Sequence, residues 1–312
     1  VPSLKIGSIT KLLLFFTQPS MKIVLLGSRG NIANPLSKLL VSKGADVTVI
    51  TRSQKNVDAI ESDGAKAAVG SVDDVEFLTK TFDKATSVFI LIPANLFEKN
   101  ALKTMIAQCN KVCDAVLKAG VKHVVYLSGI GSDIPEVGFH SENELILKNK
   151  LAGLDSVYLV RPSDYFANFL RNIDSIKKDG AIYSNTPKEQ VESYVHPIDV
   201  AEVCSDLLFS PGNDMFKIIN VEGDFASGEQ VEKLLMDAIH IPVKWVHLSD
   251  ADASKALVSA GMPEENVMPL LTIFSETYHN GITNFIKNQG SVYGKHKLAD
   301  YFKKEFAAEY NK

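Results

Sequence analysis

The sequence predicts an α/β fold, a doubly wound parallel sheet with a smaller α+β portion at its C-terminal side, and three observations carry that prediction. From Met21 onward, short and nearly continuous apolar runs alternate with longer amphipathic stretches, as expected of strands buried on both faces between covering helices. A glycine-spaced loop joins the first of these strands to the first helix. Beyond Arg161 the regular alternation stops and short elements of mixed type follow.

The elements follow in order. Residues 22–26 read as a strand and 31–43 as the helix after it. Residues 46–50 form the next strand, 54–63 a helix ended at Gly64, 65–69 a short strand and 75–82 a short helix. Residues 87–92 are an apolar strand, 100–119 a long helix stopped at Gly120, and 121–127 and 156–160 two further strands. Right-handed crossovers wind such a series into one parallel sheet with helices on both faces. After Arg161, residues 191–195 and 216–221 read as isolated strands, 227–239 and 250–260 as helices, and 243–248 as a strand between them. The expected organisation is a Rossmann-type domain over 21–162 and a smaller substrate domain over 163–312, some of whose segments return to the main sheet. A ligand cleft belongs at the seam, because open sheets of this kind bind ligands outside the carboxyl ends of their strands.

Residues 1–20 are set apart. Their apolar patch, Leu12 to Phe16, is five residues long, far below the ~20 needed to span a bilayer. Met21 directly precedes the first strand, so 1–20 read as a leader of cloning or upstream origin, outside the fold. In the chain of 312 residues, 46% are hydrophobic and 22% charged, and the net charge is -4. That is the composition of an ordinary globular protein, with no basic field for nucleic acid and no membrane span. Cys109, Cys113 and Cys204 are too few for a disulfide framework and point to a reducing, cytoplasmic setting. Cys109 and Cys113, four apart on one helix face, are either a redox pair or small buried apolar residues.

The loop Gly27-Ser28-Arg29-Gly30-Asn31-Ile32-Ala33 carries the ligand prediction. Gly27 permits the tight turn, Gly30 lets the backbone approach a pyrophosphate, and Ala33 keeps the helix close to the sheet. The helix amino terminus behind it offers N–H groups and a partial positive charge to the anion. The end of the second strand selects the dinucleotide. An acidic residue there would hold the ribose hydroxyls of NAD, but the chain reads Thr51-Arg52-Ser53. A guanidinium can clamp a 2′-phosphate that a carboxylate would repel, so Arg52, with Arg29 on the other side, predicts NADP(H) in preference to NAD(H). Ser71, Pro93, Ser128, Pro162 and Tyr165, near the ends of the later strands, complete the expected cofactor contacts.

With these residues in view, the chain resembles the NmrA-like family of atypical short-chain dehydrogenases from about Met21 to Asn284. The resemblance rests on the 27–33 loop, on Val124-Val125-Tyr126-Leu127-Ser128, on residues 159–169 (LVRPSDYFANF), and on Ala260-Gly261-Met262-Pro263-Glu264. Ala33 stands where the family usually has a third Gly, and Arg29 where Thr is more common. The resemblance implies a Rossmann domain with a small substrate domain, NADP(H) binding, and either quinone-type reductase activity or non-catalytic redox sensing.

The catalytic machinery of typical short-chain dehydrogenases is missing. Their Tyr-x-x-x-Lys supplies the proton that accompanies hydride transfer. After Ser128 the aligned positions are His140 and Glu144. A literal match, Tyr293 to Lys297, lies beyond the dinucleotide fold and reads as chance. Reducing a ketone produces an alkoxide that needs a proton donor, whereas reducing a quinone leaves a stabilised phenolate that water can protonate. His140 is either a general acid, since imidazole titrates near neutrality, or a helix-start residue bonded to backbone. Ser128 can touch nicotinamide or substrate. Asp199 reads as the N-cap of a helix starting at Val200.

Two functions are therefore expected as alternatives. One is an NADPH-dependent reductase of a small-molecule electron acceptor, a quinone or related electrophilic carbonyl. The other is an NADP(H)-binding sensor acting through a protein partner. Epimerase work on a bound sugar is a third reading, against which the missing Tyr-x-x-x-Lys counts.

Overall fold

The computed structural model describes residues 21–27, 29–133, 140–279 and 290–312. The expected leader over 1–20 and Ser28 of the expected phosphate loop lie outside the described residues. Along the chain run β1 (Lys22–Leu26), α1 (Ala33–Ser42), β2 (Asp46–Thr51), α2 (Val57–Ser62), β3 (Lys66–Val69), α3 (Val75–Phe82), β4 (Ser87–Ile90), α4 (Ala101–Ala119), β5 (His123–Leu127), α5 (Ser141–Lys150) and β6 (Ser156–Pro162). The second half contributes β7 (Asp164–Tyr165), α6 (Ile173–Asp179), β8 (Ala181–Ser184), β9 (Val191–Val195), α7 (Pro197–Phe209), β10 (Lys217–Glu222), β11 (Asp224–Ser227), α8 (Gly228–Ile239), β12 (Lys244–His247), α9 (Asp250–Ser259), α10 (Glu264–His279), β13 (Ser291–Tyr293) and α11 (Leu298–Tyr301). A π-turn at Phe302–Phe306 and the helix Ala307–Tyr310 extend α11.

Eight strands pair in parallel in the order β13-β10-β6-β5-β4-β1-β2-β3. The pleat sends alternate residues to opposite faces, and both faces are apolar. Val24 and Leu26 of β1 pack with Met105, Val112 and Val116 of α4 and Leu147 of α5. Ile23 and Leu25 pack on the other face with Leu36 and Leu40 of α1 and Val200 and Leu208 of α7. Helices therefore cover both sides, and the fold is the doubly wound sheet that the apolar runs predict.

The strands expected to be isolated both pair. β10 lies between β6 and β13 in the main sheet, and β9 is the centre of a three-stranded sheet, β11-β9-β7. Periodicity marks such segments as strands but carries no information on partners distant in sequence. β8, for which the sequence carries no clear run, pairs with β12. A third cluster, with Phe166, Phe169, Val231, Leu235 and Phe302 at its heart, ties these smaller sheets to the C-terminal helices.

One helix start is corrected. α7 begins at Pro197, and its N-cap is His196, whose side chain accepts the Ile198 N–H at 3.1 Å. Proline at the first helical position loses no bond, because that N–H has no intrahelical acceptor. Asp199 is already inside the first turn and instead holds His296, through Nδ1 at 2.7 Å and the backbone N–H at 3.2 Å.

Among the described residues no helix is long and apolar enough to cross a membrane. Nor does any group of three or more His, Cys, Asp or Glu stand ready to hold a metal ion.

Candidate functional site

Strand order reverses between β1 and β4, and there the carboxyl ends of β1, β4, β5 and β6 enclose a cleft of about 500 Å³. Gly30, Asn31 and Ile32 line it from the β1–α1 loop, Leu91 to Ala94 from the end of β4, and Leu127, Ser128 and Gly129 from the end of β5. Pro162 to Tyr165, Asn168 and Arg171 form the wall given by the second half of the chain, and His140 closes one side. This is where an open parallel sheet binds its ligand.

The loop geometry follows from its glycines. Gly27 has φ +116°, which only glycine adopts without strain, and a Cβ there would stand 3.2 Å from the Leu91 side chain. A Cβ on Gly30 would meet no protein atom within 4 Å. Gly30 lines the cleft, so the bare backbone there has open space beside it. Ala33 is fully buried against the sheet. α1 has no side-chain cap and no acidic residue in its first turn, so nothing in that turn repels an anion.

At the end of β2 the residues divide into structural and open groups. Thr51 is buried, and its hydroxyl accepts the Ser53 N–H at 3.2 Å and the Asn56 amide at 3.1 Å, shaping the turn. Ser71 does the same at the end of β3, accepting the Asp73 N–H at 3.1 Å. Arg29 and Arg52 are exposed, and among the described residues neither guanidinium makes an ion pair. Thr51, Arg52, Ser53 and Ser71 do not line the 500 Å³ cleft; they sit along the sheet from it, at the ends of β2 and β3.

Behind the cleft lies a buried charge network. Arg161, at the end of β6, donates to Glu144 of α5 through Nε at 2.9 Å and Nη2 at 2.6 Å, and its Nη1 reaches Asp133 at 3.0 Å. Ser128 Oγ donates to Glu144 Oε1 at 2.6 Å. The Ser128 hydroxyl proton is thus committed to the carboxylate, leaving an acceptor oxygen at the cleft edge.

His140 precedes α5 and meets Tyr126 of β5, whose phenol lies 2.8 Å from Nδ1. Asn143 donates its amide to the same phenol oxygen at 3.1 Å. In the tautomer where the phenol donates to Nδ1, the imidazole carries its own N–H on Nε2. Burial lowers the His140 pKa to about 4, the Glu144 carboxylate opposing only in part. At neutral pH the ring is therefore uncharged: a hydrogen-bond donor, with no imidazolium proton to give. Burial likewise pushes the Tyr126 phenol well above its ordinary range.

Of the residues singled out in the sequence, Gly30, Asn31, Ile32, Pro93, Ser128, His140, Pro162 and Tyr165 come together around the cleft. Tyr293 and Lys297 do not: Tyr293 is 61% exposed on an edge strand, and Lys297 reaches Asp224 at 3.3 Å. Cys109 and Cys113 are free and buried in the α4 core. Contact with the Cys113 thiol, then burial, raises the Cys109 thiol far above its usual range, which suits inert packing. Sequence reasoning passed over Leu91, Gly129, Ser163, Asp164, Asn168 and Arg171 in the cleft wall. The 159–169 segment contained three of these, and the four-residue spacing of Asp164 and Asn168, whose side chains hydrogen-bond, was the available signal.

The NmrA-like family model matches residues 19–301. An NAD(P)H azoreductase of Xenophilus azovorans is 26% identical over 250 residues, which are 78% of this chain and 82% of the azoreductase. A triphenylmethane reductase of Citrobacter sp. superposes with a TM-score of 0.73 at 16% identity, over 92% of this chain and 100% of its own. An NADPH-dependent quinone oxidoreductase of Escherichia coli, complexed with NADPH, gives 0.72 at 19% identity, over 91% and 99% of the two chains. At these identities the structural likeness establishes a common fold.

Proposed function

The chain belongs to the NmrA-like family, and on that footing we propose that it is an NADPH-dependent reductase of quinones or related electrophilic acceptors. The carrying observation is the composition of the cleft at the switch point. It pairs an anion-receptive glycine loop with a wall that holds a neutral His140, and behind that wall an ion-paired Glu144, where an acid–base pair would stand.

The residues present fit a dinucleotide phosphate. Gly30 leaves open the volume that a Cβ would fill, and α1 begins without an acidic side chain. Gly27 to Ile32 would hold the pyrophosphate, and Arg52 and Arg29 the 2′-phosphate. Pro93, Ser128, Pro162 and Tyr165 would border the nicotinamide end. NADPH supplies a hydride when bound.

The chain's own groups then determine which acceptors react. His140, held by Tyr126, can donate one hydrogen bond to an acceptor oxygen or nitrogen without giving up its proton. The Glu144 oxygens are taken up by Arg161 and the Ser128 hydroxyl, so the carboxylate is held in place behind the cleft instead of serving as a mobile acid or base. A quinone tolerates this, because two-electron reduction leaves a resonance-stabilised phenolate that takes its proton from water. An ordinary ketone does not. The azoreductase relative supports the same class of chemistry, hydride delivery to a conjugated acceptor.

Steady-state NADPH oxidation with a panel of quinones and azo compounds tests this reading. Sustained turnover supports it. Tight NADPH binding without turnover on any acceptor would overturn it in favour of a sensor acting through a protein partner.

A further inference from the structure

A second cavity, of about 110 Å³, lies on the far side of Asp164 and Asn168 from the cleft, and these two residues border both spaces. Its volume corresponds to roughly three to four waters. Glu192 of β9 lines it with only 5% of its surface exposed, and Glu192 Oε1 has no hydrogen-bond partner. A buried carboxyl normally has its oxygens satisfied, and one left without a partner calls for an explanation. Phe169, Tyr183, Tyr194 and Trp245 supply the aromatic part of the lining, and among the described residues no Lys, Arg or His borders the cavity.

Two carboxyls, four aromatic rings and no basic side chain make an environment selective for positive charge. Aromatic faces carry negative quadrupole density and hold ammonium groups, more strongly as the cation is desolvated. The carboxyls add direct Coulomb attraction. Asp164 already receives hydrogen bonds from Asn168 and from the Tyr165 N–H, and Arg171 faces it from the cleft side. Glu192 has no such compensation. Burial, then the nearby Asp164 carboxylate, push the Glu192 carboxyl up to about 8, as happens to an acid that lacks a countercation.

We infer that this cavity is a binding site for a small alkylammonium group, with Glu192 as its counterion and the aromatic side chains as its walls. The cation is either a separate ligand or a substituent of the electron acceptor in the adjoining cleft. The second alternative rests on the reductase reading; the first does not.

Trp245 is the chain's single tryptophan and lines this cavity, so its fluorescence reads the cavity wall. The probe is tetramethylammonium chloride, titrated at constant ionic strength against sodium chloride, with tert-butanol as the uncharged control of similar shape. A saturable fluorescence change with the cation and none with tert-butanol is expected. Glu192→Gln should weaken it at least tenfold. Tyr183→Leu, at a position already 45% exposed and so of little risk to the fold, should weaken it several-fold. A response that does not saturate, that tert-butanol reproduces, or that Tyr183→Leu leaves unchanged together with a folded Glu192→Gln overturns the inference. NADPH oxidation distinguishes the sources. A KM lower for a trimethylammonium-substituted quinone than for its neutral parent, with the difference lost in Glu192→Gln, makes the cation part of the acceptor. Equal KM values beside intact tetramethylammonium binding make it a separate ligand. If no acceptor turns over, the reductase reading fails while the titration still decides the site.

Discussion

Arg161 and Glu144, each 1% exposed, form a two-pronged ion pair at the base of the cleft, 17 residues apart in sequence and on different elements. The strand pleat explains the meeting. Val157 and Leu159 point to the α4–α5 face and Tyr158 and Val160 to the other, so Arg161 emerges on the side where α5 runs. Glu144, first-turn acid of α5, also takes the Ser128 hydroxyl, so one carboxylate ties β5, β6 and α5 together beneath the site.

Breaking this pair should destabilise strongly. Glu144→Leu leaves a buried guanidinium with Asp133 as its remaining carboxylate partner, and removal of one member of such a pair typically costs about 3–5 kcal/mol. Urea unfolding of wild type and variant measures it. A loss below about 1 kcal/mol would mean that the pair is hydrated or easily rearranged.

Gly30→Val should abolish NADPH binding while the protein still unfolds cooperatively. The added Cβ meets no protein atom within 4 Å, so the variant should fold while crowding the proposed pyrophosphate position. Calorimetric titration beside a thermal melt checks both halves. Unchanged affinity would show that the dinucleotide binds elsewhere.

Arg52→Ala should weaken NADPH about ten- to a hundredfold, the loss of a charge-assisted contact of about 1.5–3 kcal/mol, and leave NADH nearly unaffected. Equal losses for the two cofactors would remove the 2′-phosphate from Arg52.

His140→Ala should slow quinone reduction less than tenfold, because a ring with pKa about 4 is not a proton source at pH 7. General acid catalysis contributes about 10²–10⁴, so a hundredfold drop, with loss of a step near neutrality in the pH–rate profile, would make His140 the acid after all.

The same depressed pKa has a stability consequence of definite sign. The unfolded chain binds a proton at His140 near 6.5, and the folded chain only near 4. The folded state therefore loses stability as pH falls between those values, by at most about 3 kcal/mol. Other groups titrate in this window, so the quantity to measure is the difference between wild type and His140→Asn across pH 4–7. A flat difference would show that the imidazole is freely protonated in the folded protein.

The doubly wound sheet was legible because its information is local. A strand buried on both faces must be apolar along its buried length, as residues 23–26 and 88–90 are, and the helices between show their own period. The glycine turn after β1 was legible for the same reason: Gly27, with φ +116°, answers to a backbone constraint within a few residues. What required the tertiary structure was pairing across long sequence separations. No local signal told that β10 inserts beside β6, that Glu144 would find Arg161, or that burial beside Tyr126 would hold His140 neutral. Those outcomes depend on which faces the sheet brings together and on how far each ionisable group is taken from water, and burial depends on every element packed around a residue. Sequence alone settles the scaffold and the glycine loop. Charge state and hydrogen-bond partners, on which the chemistry of the cleft rests, are decided only by the folded chain.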